Sequence, residues 1–183
     1  MSIPNFITLG RIILVPVVFW LLVSGRKDAA FFLFVTAGVS DAVDGFLAKR
    51  FGWATELGAY LDPLADKLLI VSIFVALGVL GDLPSWLVIA VVSRDILIVC
   101  AVILSWLLGH PVRIKPLAVS KANTACQIAL AALVLADHAF ALGLDRLVTV
   151  AIWATAATTM ASLALYLRAW IRHMSRYELA GPD

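Results

Sequence analysis

Sorted into apolar and polar positions, the chain is a series of long apolar runs cut by short charged or turn-forming segments. The runs are Ile12–Val23, Ala29–Ala48, Tyr60–Leu80, Trp86–Leu108, Leu117–Ala136 and Leu147–Leu167. The cuts read SGRKD, KRFGW, GDLP, GHPVRIKP and ADHAFALGLDR. A helix rises ~1.5 Å per residue, so runs near twenty residues match a hydrocarbon slab ~30 Å thick. The pattern predicts an all-α integral membrane protein of six transmembrane helices, forming a single domain over residues 1–183 with no internal repeat. The segment Met1–Leu22 lacks a basic start and runs on into a span, so a cleaved leader is not expected.

Composition sharpens this. Of 183 residues, 63% are apolar and 14% charged, and the mean hydropathy is +1.02. Soluble domains sit near half apolar and about a quarter charged. A net charge of +2 gives no reason to expect nucleic acid as a partner. The basic residues are unevenly placed. One side collects Lys49, Arg50, Arg113, Lys115, Lys121, Arg168, Arg172 and Arg176, the other only Arg26, Lys27 and Arg146. The positive-inside rule then predicts cytoplasmic N- and C-termini and a cytoplasmic KRFGW loop. A bacterial inner membrane is the expected location. Cys100 and Cys126 lack the number and spacing of a zinc site and are expected as small core residues. His110, His138 and His173 are scattered, without matched partners, and are expected to be solvated.

Against this apolar background stand four aspartates. Asp41 and Asp44 are three apart and share a helical face, which Gly45 and Ala48 continue. Gly58, Asp62 and Asp66 recur at intervals of four on the next run. A short loop joins the two runs, so they are expected as antiparallel neighbours whose acidic faces converge. An aspartate at mid-membrane costs roughly 2.5–3.5 kcal/mol, so four demand compensation. Oxygen donors without sulfur or imidazole suit Mg²⁺ or Mn²⁺, and four carboxylates exceed what one Mg²⁺ usually takes. Two bridged ions would balance the charge and clamp an in-line displacement at phosphorus. Gly45, Ala48 and Gly58 keep the stripes open to a phosphorylated ligand, and Lys49 and Arg50 are placed to hold its oxygens. The alternative is a set of ion pairs that only fixes helix packing. A transporter also concentrates intramembrane acid, but it predicts midplane acids and symmetric halves, which this chain lacks.

Asp41-x-x-Asp44-Gly45-x-x-Ala48-Lys49, eight residues, then Gly58-x-x-x-Asp62-x-x-x-Asp66, resembles the signature of the CDP-alcohol phosphatidyltransferases. The family usually has arginine where this chain has Lys49, and Arg50 follows directly. The resemblance implies six transmembrane helices, a homodimer, a divalent-metal site, and a reaction in which an acceptor hydroxyl attacks a CDP-linked lipid and releases CMP. By position it implies Asp41, Asp44, Asp62 and Asp66 as metal ligands, with Asp66 doubling as the base. It implies Asp44, Gly45, Ala48, Lys49 and Gly58 at the CDP-lipid.

The N-terminal PNFITLGRIILVP resembles the family's own, which adds Asn5, Thr8 and Arg11 to the CDP-lipid set; Arg11 also reads as an interface anchor. VSRDILIV puts Arg94 and Asp95 inside a span, Arg94 as a candidate for the acceptor's phosphate or for a structural pair with Asp95 or another helix. IKPLAVSKANTACQ adds Lys121, Thr124 and Gln127, read as one helical face, with Arg113 and Lys115 before them. These two segments look most like the cardiolipin-synthase type, whose donor is CDP-diacylglycerol and whose acceptor is the anionic phospholipid phosphatidylglycerol. The relative that uses glycerol 3-phosphate, phosphatidylglycerophosphate synthase, often has glycine where this chain has Ser120. Arg168, Arg172 and Arg176, at intervals of four, read as an interface anchor that attracts anionic membrane lipids.

Overall fold

The computed structural model describes the backbone of residues 3–51, 56–108 and 118–178 and, within them, the side chains of residues 10, 12–40, 43, 65–108 and 118–175. The described residues form six helices and no strand: α1 (Ile3–Val23), α2 (Lys27–Phe51), α3 (Glu56–Val79), α4 (Ser85–Leu107), α5 (Ala118–Phe140) and α6 (Asp145–Glu178). All six predicted runs fall on these helices. The helices overrun the runs mainly at polar ends: α1 begins nine residues before Ile12, and α6 continues eleven residues past Leu167. Hydropathy reports only the apolar stretch, whereas backbone hydrogen bonding continues into segments such as Arg168–Glu178. Among the described residues three helices are long and apolar enough to cross a membrane: α4, α5 and α6 over Asp145–Ser175.

The helices close into a ring. α1 packs on α2 and α3, α2 on α5, α5 on α6, α6 on α4, and α4 back on α3, while α3 and α5 also meet across the middle. The described interior is mostly apolar: Val18 and Leu22 from α1, Ile73, Phe74 and Leu77 from α3, Leu87 and Val91 from α4, and Leu130 and Leu135 from α5 are fully buried. Large side chains such as Trp20, Trp106 and Trp153 point outward. That surface would be an aggregation face in water and matches lipid in a bilayer. Cys100 belongs to this outer surface and Cys126 is half-buried, both as free thiols, so the core position expected for Cys100 is not found.

Among the described residues α2 and α3 make no close backbone approach to each other, whereas α1 and α5 each touch both. The direct α2–α3 packing expected from the sequence is therefore not seen in these residues; there the two helices flank a cleft.

Two glycine caps organise one end of the bundle. Gly25 (φ 76°) and Gly81 (φ 82°) adopt left-handed backbone, which side-chain-bearing residues rarely take. After α1, Gly25 N–H donates to Leu22 C=O at 3.0 Å and Arg26 N–H to Leu21 C=O at 2.9 Å. After α3, Gly81 N–H donates to Gly78 C=O at 3.2 Å and Asp82 N–H to Leu77 C=O at 2.9 Å. Both are Schellman closures. They bring Lys27 and Asp82 together: Lys27 Nζ donates to Asp82 Oδ2 at 2.7 Å. His138, near the end of α5, has its Nε2 3.0 Å from Asp82 Oδ1 and 3.3 Å from Lys27 Nζ. The expectation of a partnerless His138 is therefore wrong, because the ring sets the end of α5 beside the α3–α4 turn.

Gly78 of α3 faces Val88 of α4 at close range: a Cβ there would meet Val88 Cγ2 at 2.8 Å. Gly78→Ala is expected to destabilise the fold by about 1–3 kcal/mol, the usual range for overpacking. Adding Val88→Ala should recover much of that loss. Thermal unfolding of the single and double variants in one detergent checks both.

Candidate active site

The cleft between α2, α3 and α5 has about 380 Å³ of free volume. Phe34, Ala37 and Gly38 of α2 form one wall, Asp66 and Leu69 of α3 another, and Thr124 of α5 the third. Among the described residues the lining is apolar apart from Asp66 and Thr124. Asp66 is half-buried and lies about 20 Å along α3 from the Val79 end, at ~1.5 Å per residue. Asp41 and Gly45 follow Gly38 at +3 and +7 on α2, and Asp62 and Gly58 precede Asp66 by one and two turns on α3. The motif is therefore carried on the two helices that bracket the cleft. The side chains of Asp41, Asp44, Ala48, Lys49, Arg50 and Asp62, and of Asn5, Thr8 and Arg11 on α1, lie outside the described residues, as do the Cα surroundings of Gly45 and Gly58. Arg113, Lys115 and His110 lie outside altogether. Among the described residues no group of three or more His, Cys, Asp or Glu gathers. The part of the proposed metal set that is described fits a hard cation: Asp66 supplies carboxylate oxygen on the wall of the cleft.

Beside Asp66 the structure builds a knot of charge. Arg94, on α4, is 2% exposed. Its Nη1 donates to Asp95 Oδ1 at 2.5 Å, and its Nη2 donates to Ser120 Oγ at 2.7 Å and Ser162 Oγ at 2.5 Å. The Tyr166 ring lies 5.6 Å from the guanidinium carbon. Asp95 Oδ1 also takes Lys67 Nζ at 2.6 Å, so the residue after Asp66 is tied to the same carboxylate. Four helices, α3 to α6, meet at this point. Arg94 thus makes the structural pair and interhelix bonds that the sequence offered beside an acceptor-phosphate role, and Nε remains buried without a partner.

Lys121, Thr124 and Gln127 do not share one environment. Lys121 is exposed, Thr124 lines the cleft, and Gln127 is 3% exposed in the interior. Intervals of three drift by about 60° per step on a helix of ~3.6 residues per turn, so the outer members diverge. Sequence reasoning did not assign Asn123, which is fully buried and accepts from Thr158 at 3.0 Å and Thr159 at 2.8 Å. It also passed over Lys67 and Ser162. The available signal was the stripe Thr155, Thr159, Ser162 and Tyr166 on α6, a polar face on an apolar helix; the first three are fully buried. In lipid such groups must find interhelical partners.

Asp95→Ala would strand a buried guanidinium. A loss of about 3–5 kcal/mol is expected, the range for breaking a buried ion pair by removing one partner. Asp95→Asn, which keeps an acceptor oxygen, should lose less, as read from denaturant unfolding in micelles.

Comparison with known proteins gives this geometry its family. The CDP-alcohol phosphatidyltransferase profile matches residues 1–167. A chloroplastic CDP-diacylglycerol–glycerol-3-phosphate 3-phosphatidyltransferase of Oryza sativa is 35% identical over 184 aligned positions, 91% of this chain and 56% of that protein. The human cardiolipin synthase (CMP-forming) is also 35% identical, over 90% of this chain and 60% of its own. A probable phosphatidylglycerophosphate synthase of Mycobacterium tuberculosis is 40% identical over 52% of this chain and 48% of its own length. The chain thus spans roughly half to three-fifths of the length of these curated relatives. With the motif on the two helices that flank the cleft and the profile covering nearly the whole sequence, the chain belongs to the CDP-alcohol phosphatidyltransferase family.

Proposed function

We propose that this protein transfers a phosphatidyl group from CDP-diacylglycerol to a hydroxyl of phosphatidylglycerol, giving cardiolipin and CMP. The observation that carries the reading is the position of Asp66: the last carboxylate of the motif stands on the wall of a cleft whose other described lining residues are apolar apart from Thr124. Such a cleft suits a substrate with a charged pyrophosphate and hydrocarbon tails. The protein is read as one integral membrane domain over residues 1–183, with six spans, both termini and the site on the cytoplasmic side of a bacterial inner membrane, working as a homodimer. The bias of basic residues toward the loops and ends on that side supports the orientation.

Asp41, Asp44, Asp62 and Asp66 are the residues that would hold Mg²⁺ or Mn²⁺. Two such ions, when bound, neutralise charge on the pyrophosphate and the attacking oxygen. Asn5, Thr8, Arg11, Lys49 and the small residues Gly45, Ala48 and Gly58 are assigned to the CDP-lipid. Arg113, Lys115, Lys121 and Thr124 are assigned to the acceptor's side. Asp66 accepts the proton of the acceptor hydroxyl as its oxygen bonds to the lipid-side phosphorus. The bond from that phosphorus to the bridging oxygen breaks, and CMP leaves with that oxygen. Glycerol 3-phosphate as acceptor is the second reading, favoured by the similarity to the rice and mycobacterial proteins.

Asp66→Asn is expected to lower CMP release by about a thousandfold, within the range for loss of a general base. CDP-diacylglycerol binding should change only a few-fold, because most carboxylates of the site remain. Near-normal turnover in this variant contradicts the base assignment. Separately, chelation of divalent ions should stop CMP release, and added Mg²⁺ or Mn²⁺ should restore it.

A further inference from the structure

A guanidinium offers an oxyanion two forks, Nη1 with Nη2 and Nε with Nη2. Nη2 belongs to both. In this protein Nη2 of Arg94 carries two hydrogens, and both are taken: Ser120 Oγ accepts at 2.7 Å and Ser162 Oγ at 2.5 Å. Nη1 gives one hydrogen to Asp95. What remains is the Nε–H, buried and unpartnered, and one hydrogen of Nη1. These two do not form a fork. The serines come from two helices, α5 and α6, so the blockade is fixed by the helix packing and not by one mobile loop.

The knot adjoins the cleft. Lys67, next in sequence to Asp66, shares Asp95 with Arg94. Thr124, which lines the cleft, lies one turn along α5 from Ser120 and donates to its carbonyl at 3.2 Å. Two cations around one carboxylate leave a formal charge of +1. A phosphate monoester is a dianion with three terminal oxygens and is held best by bidentate arginine. A phosphodiester is a monoanion with two free oxygens and is satisfied by less charge and single hydrogen bonds.

We propose that Ser120 and Ser162 select the acceptor: by holding both Nη2 hydrogens of Arg94 they withhold the fork that a phosphate monoester needs, and leave a singly positive cluster matched to a phosphodiester lipid. They act through Arg94 and are positioning residues. The proposal rests on the phosphatidyltransferase reading above and supplies what that reading leaves between its two acceptors.

The test uses the full chain purified in mixed micelles with CDP-diacylglycerol and Mg²⁺, and measures CMP release against phosphatidylglycerol and glycerol 3-phosphate separately. The wild type is expected to favour phosphatidylglycerol. In Ser120→Ala/Ser162→Ala the ratio of kcat/KM for glycerol 3-phosphate over phosphatidylglycerol should rise by about tenfold, the worth of one recovered charge-assisted hydrogen bond, mainly through a lower KM for glycerol 3-phosphate. Ser120→Thr, which keeps the hydroxyl, should hold the wild-type ratio. If the double variant does not fold, the single alanine variants decide, each expected to move the ratio the same way. Phosphatidylglycerol-dependent CMP release with an unmoved ratio overturns the serine proposal alone, whereas a wild type that favours glycerol 3-phosphate overturns it together with the choice of phosphatidylglycerol as acceptor. No CMP from either acceptor with the metal-supplied wild type overturns the underlying reading, and this inference with it.

Discussion

A guanidinium in an apolar helix must be satisfied where it stands, because removing its partners inside a low-dielectric bundle costs several kcal/mol. Arg94 sets that condition for this protein. Asp95 neutralises it, Ser120 and Ser162 take its Nη2 hydrogens, and Lys67 reaches the same carboxylate from α3. Lipid offers helices little hydrophobic reason to associate with one another, so polar ties and close packing decide their order. The Arg94 knot fastens α3, α4, α5 and α6. Asn123 with Thr158 and Thr159, and Trp170 with Ser105 at 2.8 Å, reinforce α5 to α6 and α4 to α6.

The other half of the ring is held differently. α1 packs on α3, with Val18, Leu22, Ile73 and Leu77 buried in the shared apolar core, and α2 is anchored at its start by Lys27 on Asp82, with His138 alongside. Both motif helices thus pack on α1 and on α5, and among the described residues they make no close backbone approach to each other. The space between them is the condition for the proposed chemistry. Carboxylates that face a cleft can receive cations and a pyrophosphate, whereas carboxylates packed against each other would only repel. Stability at one end of the bundle and openness at the motif are thus two results of one helix order.

The proposed division of labour follows the same line. Asp66 works at the cleft wall, while its sequence neighbour Lys67 is turned to Asp95, about 100° around the helix. One step along the chain separates a residue assigned to proton transfer from one assigned to holding charge in place. Arg94, the most buried cation of this region, is almost wholly committed to protein partners. For that reason its neighbours, and not the arginine itself, are where acceptor choice is located.

The sequence by itself determined the number and approximate extent of the helices, the apolar character of the runs that form them, and the positions of the four aspartates on two of them. These are local properties: hydropathy along a run and spacing along one helix do not depend on neighbours. Only the tertiary structure decided that the described parts of α2 and α3 flank a cleft, that Lys121, Thr124 and Gln127 part company, that His138 meets Asp82, and that Cys100 faces outward. It alone decided that Arg94 spends its donors on two serines 26 and 68 residues away. Such partnerships depend on how each helix is rotated and which helix stands beside it. In an apolar bundle those choices are settled by long-range packing and by the need to find partners for buried polar groups.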